Sequence, residues 1–159
     1  LNKLSFVFLG GIHMDTRVDL YSLLMTTNAK FNKRLFSALH KSGLSHGQPK
    51  VLDYLGSHDG SPQKDIAIGC MIEPATVTSL ISKMVSDGLV ERRHLDSDRR
   101  TSYVYLTEKG HIMQKRVSHV MKNLEIKAFS GFSEDVQSLF IEMLKAVYEN
   151  LSEVIDYDE

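Results

Sequence analysis

Between Arg92 and Arg100 the chain sets four arginines and two aspartates into nine residues. Arginine presents a rigid fork of donors that matches phosphate and base edges, and a carboxylate can hold that fork through a bidentate pair. At the tip of a short hairpin, such a cluster suits insertion into the narrow, electronegative minor groove of duplex DNA. Arg99 or Arg100 is the candidate inserted residue, with Asp98 as its brace. Arg92 and Arg93 lie on the strand leading in, where they could meet phosphates. A second set lies upstream. Thr76, Ser79, Ser82, Lys83 and Ser86 share one face of a helical segment whose opposite face is Val77, Leu80, Ile81 and Met84. Small polar or basic residues let a helix backbone approach base edges in the major groove, and Thr76, Ser79 and Lys83 are the candidates for that contact.

These residues need a short helix, a tight turn, a reading helix and a hairpin in succession, and the pattern supplies them. Leu20, Leu24, Phe31, Leu35 and Leu39 recur at helical spacing between Asp15 and Ser42, and Gly43 ends that run. Ser45 with Gln48 has the spacing of a capping box, opening a helix that turns Val51, Leu52 and Leu55 inward, with Pro49 in its first turn. Ser61-Pro62 reads as a capping serine with proline at the first helical position, starting a short helix over 62–69. A turn over 70–73 follows. Pro74 then opens the reading helix, which Gly88 stops. Two strands are expected over 89–94 and 101–106, with the hairpin tip at 95–100. Tyr103 and Tyr105 alternate with Val104 and Leu106 as in a half-buried strand. Thr107 caps a long helix with Met113, Val117, Val120, Met121, Leu124 and Ala128 on one stripe. Ser133 starts the last helix, with Val136, Phe140, Met143, Val147, Leu151 and Val154 on its stripe. The expected fold class is therefore mainly α with a small β-hairpin wing: a winged helix-turn-helix.

The chain has 159 residues, with a net charge of −1. Residues 149–159 carry five acids and no base, so the rest of the chain is net positive by four. A nucleic-acid binder needs a local basic surface rather than a basic total. Cys70 is the only cysteine, which rules out a disulfide within the chain and fits a reducing cytoplasm. At the helix-turn-helix core it reads as a buried structural thiol. No apolar run reaches the length a membrane span needs, so no membrane partner is expected. Residues 1–13 read as a cloning-derived leader before a native start at Met14; the rival reading is a native arm packed on a partner. That divides the chain into a helix over 14–44, a winged lobe over 45–110 and terminal helices over 111–159.

The wing also carries a family signature. Asp98-Arg99-Arg100, five residues, Leu106-Thr107, two residues and Gly110 match the pattern of the MarR-type transcriptional regulators, which the stretch GLVERRHLDSDRR also resembles. The resemblance runs from about Tyr21 to Glu153. It implies a homodimer held by the first and last helices, an operator-DNA partner, and Arg100 as the minor-groove residue braced by Asp98. It also implies a small aromatic or lipophilic effector in a pocket near the junction of the helical region and the winged lobe. The candidate wall is Phe31, Leu35, Leu52, Leu55, Met113 and Val117, with His40 or Arg116 as polar anchor. Two positions depart from the pattern. Serine stands at 79, where many members carry arginine, and Met71 replaces the turn glycine.

The resulting expectation is a dimeric, sequence-specific DNA-binding regulator of the repressor kind, with no cofactor and no metal. The alternative is a winged-helix module that binds protein and not DNA, favoured by the acidic tail and disfavoured by the wing arginines. No nucleophile elbow, phosphate loop or metal-ligand motif supports an enzyme.

Overall fold

The computed structural model describes residues 19–95 and 98–152; at Leu95, Asp98, Arg99 and Arg100 only the backbone is described. The expected leader at 1–13, the turn residues Asp96 and Ser97, and Val154 lie outside the described residues. Helix α1 spans Leu20–Leu39 and α2 Gln48–Ser57. Strand β1, Ser61–Pro62, precedes α3, Gln63–Cys70, and α4, Pro74–Ser86. Strands β2, Val90–Leu95, and β3, Asp98–Leu106, lead into α5, Glu108–Ala128, and α6, Glu134–Ser152.

Helix α1 starts at Leu20, where Asp19 Oδ1 accepts from the backbone N–H of Ser22 at 2.7 Å and caps it; residues 15–18 of the expected helix lie outside the described residues. A 3₁₀ turn over His40–Ser42 closes it, and Gly43 takes φ 72°. The expected capping box at Ser45 forms only by half. Gln48 Oε1 accepts from Ser45 N–H at 2.9 Å, but α2 begins at Gln48 behind Gly47, whose φ of 86° makes the turn.

The largest departure lies before α3. Ser61 and Pro62 are not a helix start but a two-residue edge strand, pairing antiparallel with Val104 and Tyr103. An edge is where a proline, lacking an N–H, does least harm to a sheet. The sheet order is β1-β3-β2. Its hairpin is also tighter than expected: Leu95 already pairs with Asp98, so only residues 96 and 97 connect strands that were expected to be joined by 95–100.

The core lies where α1, α2 and β3 pack on α5, with α3 against α2 and α4 against α3 and β2. Leu39, Val51, Leu52, Leu55, Ile66, Val77, Ile81, Met84, Val104 and Val117 are buried there. Cys70 joins this cluster, and burial pushes its thiol above the ordinary value, as expected of a structural thiol. Among the described residues no single helix is long and apolar enough to cross a membrane.

Gly110, the last residue of the wing signature, has a steric reason. A Cβ there would sit 1.9 Å from the carbonyl oxygen of Leu89, so the first turn of α5 can lie against the hairpin only without a side chain. Thr107 Oγ1 accepts from Gly110 N–H at 3.0 Å, capping α5, and donates to Gly88 O at 2.7 Å. The Leu-Thr-x-x-Gly segment is thus the joint between wing and long helix.

Candidate nucleic-acid interface

Helix α4 buries Val77, Leu80, Ile81 and Met84 and turns Ala75, Thr76, Thr78, Ser79, Ser82, Lys83 and Ser86 outward. Ala75 and Thr78 lie on this face too, beyond the residues expected there from spacing. The turn before it is set by Met71, at φ 48° and ψ 51° in the left-handed region. Its N–H meets Ile68 O at 3.0 Å, and the next N–H, from Ile72, meets Ala67 O at 2.9 Å, closing α3 as a glycine there would. Methionine substitutes for the glycine by adopting glycine's conformation.

Two struts hold α4 to its surroundings. At its C-terminal end Gln48 Nε2 donates to Asp87 Oδ2 at 2.9 Å, and Lys83 Nζ lies 3.2 Å from the same carboxylate. Lys109 Nζ donates to Asp87 O at 2.6 Å. Asp87 is therefore held below its ordinary pKa, chiefly by the Gln48 hydrogen bond and then by Lys83 and Lys109. Midway along α4, Arg92 Nη2 donates to Ser82 Oγ at 3.0 Å, joining β2 of the wing to the reading helix.

The wing arginines part company. Arg93, one residue on, faces away from α4. Its Nε donates to Glu91 Oε1 at 2.7 Å, and its guanidinium carbon lies 4.5 Å from the centroid of the Tyr105 ring. Arg92 thus shares a surface with α4, while Arg93 is engaged on the outer wing face. Asp98, Arg99 and Arg100 lie at the start of β3, level with the outer end of β2; their side chains are outside the described residues.

The residues expected to line an effector pocket do not form one wall. Leu35, Leu52, Leu55 and Val117 are packed into the core. His40 is exposed, with its Nδ1 2.9 Å from Ser37 O, and Arg116 is exposed on α5. Met113 borders a different hollow, beside Leu44, Gln48, Asp87 and Lys109. Only Phe31 and Leu35 reach the nearby crevice of about 470 Å³, which Phe36, Pro49, Met121, His46 and Lys50 also line. Periodicity identified inward faces correctly, but an inward face is filled by core packing before any vacancy is left.

An exposed reading helix behind a tight turn, followed at once by a hairpin tied to it, defines a winged helix-turn-helix. The MarR family model matches residues 44–102, from the approach to α2 into β3. The HTH-type transcriptional repressor YetL of Bacillus subtilis is 28% identical over 146 residues, which is 85% of this chain and 82% of the relative. A MarR-family transcriptional regulator from Silicibacter pomeroyi has the same fold, with a TM-score of 0.73 at 26% identity over 85% of this chain and 92% of that one. The transcriptional repressor CouR, solved bound to a 23-mer DNA duplex, shares the fold with a TM-score of 0.73 at 21% identity, covering 82% of this chain and 92% of its own. Residues 44–102 thus carry a MarR-family winged helix-turn-helix domain. The chain is a DNA-binding regulator, not an enzyme, and the protein-docking alternative is set aside.

Proposed function

We propose that the protein is a cytoplasmic, homodimeric repressor that reads its operator with α4 and grips the flanking minor groove with the wing. The observation that carries this reading is the Arg92–Ser82 hydrogen bond, which joins wing and reading helix into one surface. Thr76, Ser79 and Lys83 face base edges, Arg92 and Arg93 serve phosphates, and Arg99 or Arg100 enters the minor groove beside Asp98. Arg93 must give up its contacts with Glu91 and Tyr105 to do so.

Dimerisation is supported by apolar surface at both ends of the described chain. Helix α6 buries none of its residues, and Leu139, Phe140, Met143 and Leu151 stand exposed on it. Leu20, Tyr21, Leu23 and Met25 are exposed on α1. A two-fold pair would cover both and set two reading helices one DNA turn apart, ~34 Å.

Control by a small aromatic or lipophilic acid fits the crevice of about 470 Å³ between α1, α2 and α5 better than the core positions first expected. Its apolar wall would take a ring, and Lys50 or His46 would meet a carboxylate. A ligand that prefers the DNA-incompetent dimer by ~1–3 kcal/mol lowers operator affinity about 5–150-fold.

Fluorescence anisotropy against duplex DNA from the protein's own upstream region, with and without small phenolic acids, tests this. The expected result is tight, sequence-selective binding by a dimer, weakened by a ligand that also raises the melting temperature of the free protein. Equal affinity for unrelated duplexes would overturn the operator reading. A broad panel that changes neither readout would overturn the effector site.

A further inference from the structure

The outward face of α4 has an unusual chemistry for a base-reading surface. The helix, PATVTSLISKMVS, contains no arginine, asparagine or glutamine, which with lysine are the side chains that read guanine or adenine through paired hydrogen bonds. Its one cation, Lys83, sits in the last turn with its ammonium 3.2 Å from Asp87. Three hydroxyl groups direct their protons back into the helix. Thr78 Oγ1 donates to Pro74 O at 3.0 Å, Ser79 Oγ to Thr76 O at 2.9 Å, and Ser82 Oγ to Thr78 O at 2.8 Å. What Thr78 and Ser79 offer outward is therefore lone pairs, while Ser82 Oγ already accepts from Arg92. Between them, in the first two turns, stand the methyl groups of Ala75, Thr76 and Thr78, all exposed.

A surface of methyl groups and acceptors matches one kind of base pair. A T·A pair shows the major groove the thymine C5-methyl and the adenine N6 amino donor. A G·C pair also offers an amino donor, on cytosine N4, beside its two guanine acceptors, but it has no methyl, so the methyl contacts carry the discrimination. The short side chains also keep the helix close enough to the groove floor for methyl-to-methyl contact.

We propose that α4 is a thymine-methyl reader: Ala75 and Thr78 pack on thymine C5-methyls of the half-site, and the back-bonded Ser79 accepts from the adenine amino group. Guanine is read by no side chain in the first two turns of α4. This inference rests on the DNA-binding reading above and specifies which bases that surface takes.

The test uses the full-length protein and a randomised duplex library. Selection should enrich half-sites with thymines under α4. Replacing each contacted thymidine by deoxyuridine, which removes only the methyl, should weaken binding about three- to five-fold, the scale of one buried methyl group. Replacing guanines under the first two turns of α4 by 7-deazaguanine should change nothing. Ala75→Gly and Thr78→Ser each remove one methyl, the latter keeping the hydroxyl. Each variant should bind thymine and uracil equally at one position while melting as a folded protein. Equal wild-type affinity for thymine and uracil sites, or a loss with 7-deazaguanine, overturns the thymine reading and leaves DNA binding standing. If no duplex is enriched over the library, DNA recognition itself fails and this inference fails with it.

Discussion

Gln48 and Asp87 meet at 2.9 Å across 39 residues of sequence, tying the first turn of α2 to the residue that ends the reading helix. Gln48 is fully buried, and its other amide atom accepts from Ser45. The side chain is thus satisfied at both ends. Gln48→Ala leaves Ser45 N–H without its side-chain acceptor and the Asp87 carboxylate with Lys83 alone. The expected cost is about 1–3 kcal/mol, read as a lower midpoint in urea.

The same contact has a pH signature. Asp87 is held below its ordinary carboxylate value of 3.8, first by Gln48. A lowered folded-state pKa means the stabilisation is present above the unfolded value and is lost as the pH falls through the folded one. Wild type should therefore be more stable than Asp87→Asn at neutral pH, and the gap should close in acid, below about pH 4. A gap that persists unchanged into acid would assign the effect to packing instead.

Gly110→Ala places a methyl group against the Leu89 carbonyl, where only backbone movement can relieve it. A loss of about 3 kcal/mol is expected, at the upper end for overpacking. Gly56→Ala is the contrast. Its new Cβ would meet only the Gln114 side chain, which can swing away, and alanine favours the helix. Its melting temperature should stay near wild type or rise.

Met71→Gly should stabilise the protein. Met71 holds φ 48° in the left-handed region, and its side chain is 69% exposed, so little packing is lost. Relief of about 1–2 kcal/mol of backbone strain, less the extra freedom glycine gains when unfolded, leaves a net gain of roughly 0.5–1 kcal/mol. Differential scanning calorimetry would show it as a raised midpoint.

The wing predicts an order of effects on DNA affinity. Arg100→Ala should weaken binding by ~1–3 kcal/mol, the scale of a good groove contact. Arg92→Ala should cost about 1 kcal/mol, through lost phosphate contact and the lost tie to Ser82. Arg93→Ala should cost less, because its guanidinium is engaged by Glu91 and the Tyr105 ring. Titrations of the three variants against one duplex would establish the order, and Arg93→Ala emerging as the weakest binder would reverse the assignment.

Local rules recovered what local forces build. The inward face of α4, that of α5 from Met113 to Leu124, the Thr107 cap and the turn before α4 follow from spacing and capping chemistry and are present, while Ala128 at the end of the α5 stripe is exposed. The elements that failed depend on distant partners. Ser61-Pro62 has the grammar of a helix start, yet the free edge of β3 claims it as a strand. The hairpin is shorter than its polar composition implied because pairing continues to Leu95 and Asp98. No sequence signal joins Gln48 to Asp87 or Arg92 to Ser82. The expected effector wall dispersed for a related reason: Leu52, Leu55 and Val117 were correctly assigned inward, and the core itself took them.

The central claim is that the α4 face, not the protein surface at large, reads DNA. Ser79 lies exposed near the centre of that face, so Ser79→Glu adds a negative charge there at a solvent-facing position. The decisive measurement is anisotropy titration of wild type and Ser79→Glu against upstream and unrelated duplexes at fixed salt, with circular dichroism melts of both. Wild type should prefer its upstream duplex by at least about 10³-fold, with two protomers per site, and Ser79→Glu should lose that preference while melting like wild type. Equal binding of both duplexes by wild type, or undiminished selective binding by Ser79→Glu, would contradict it.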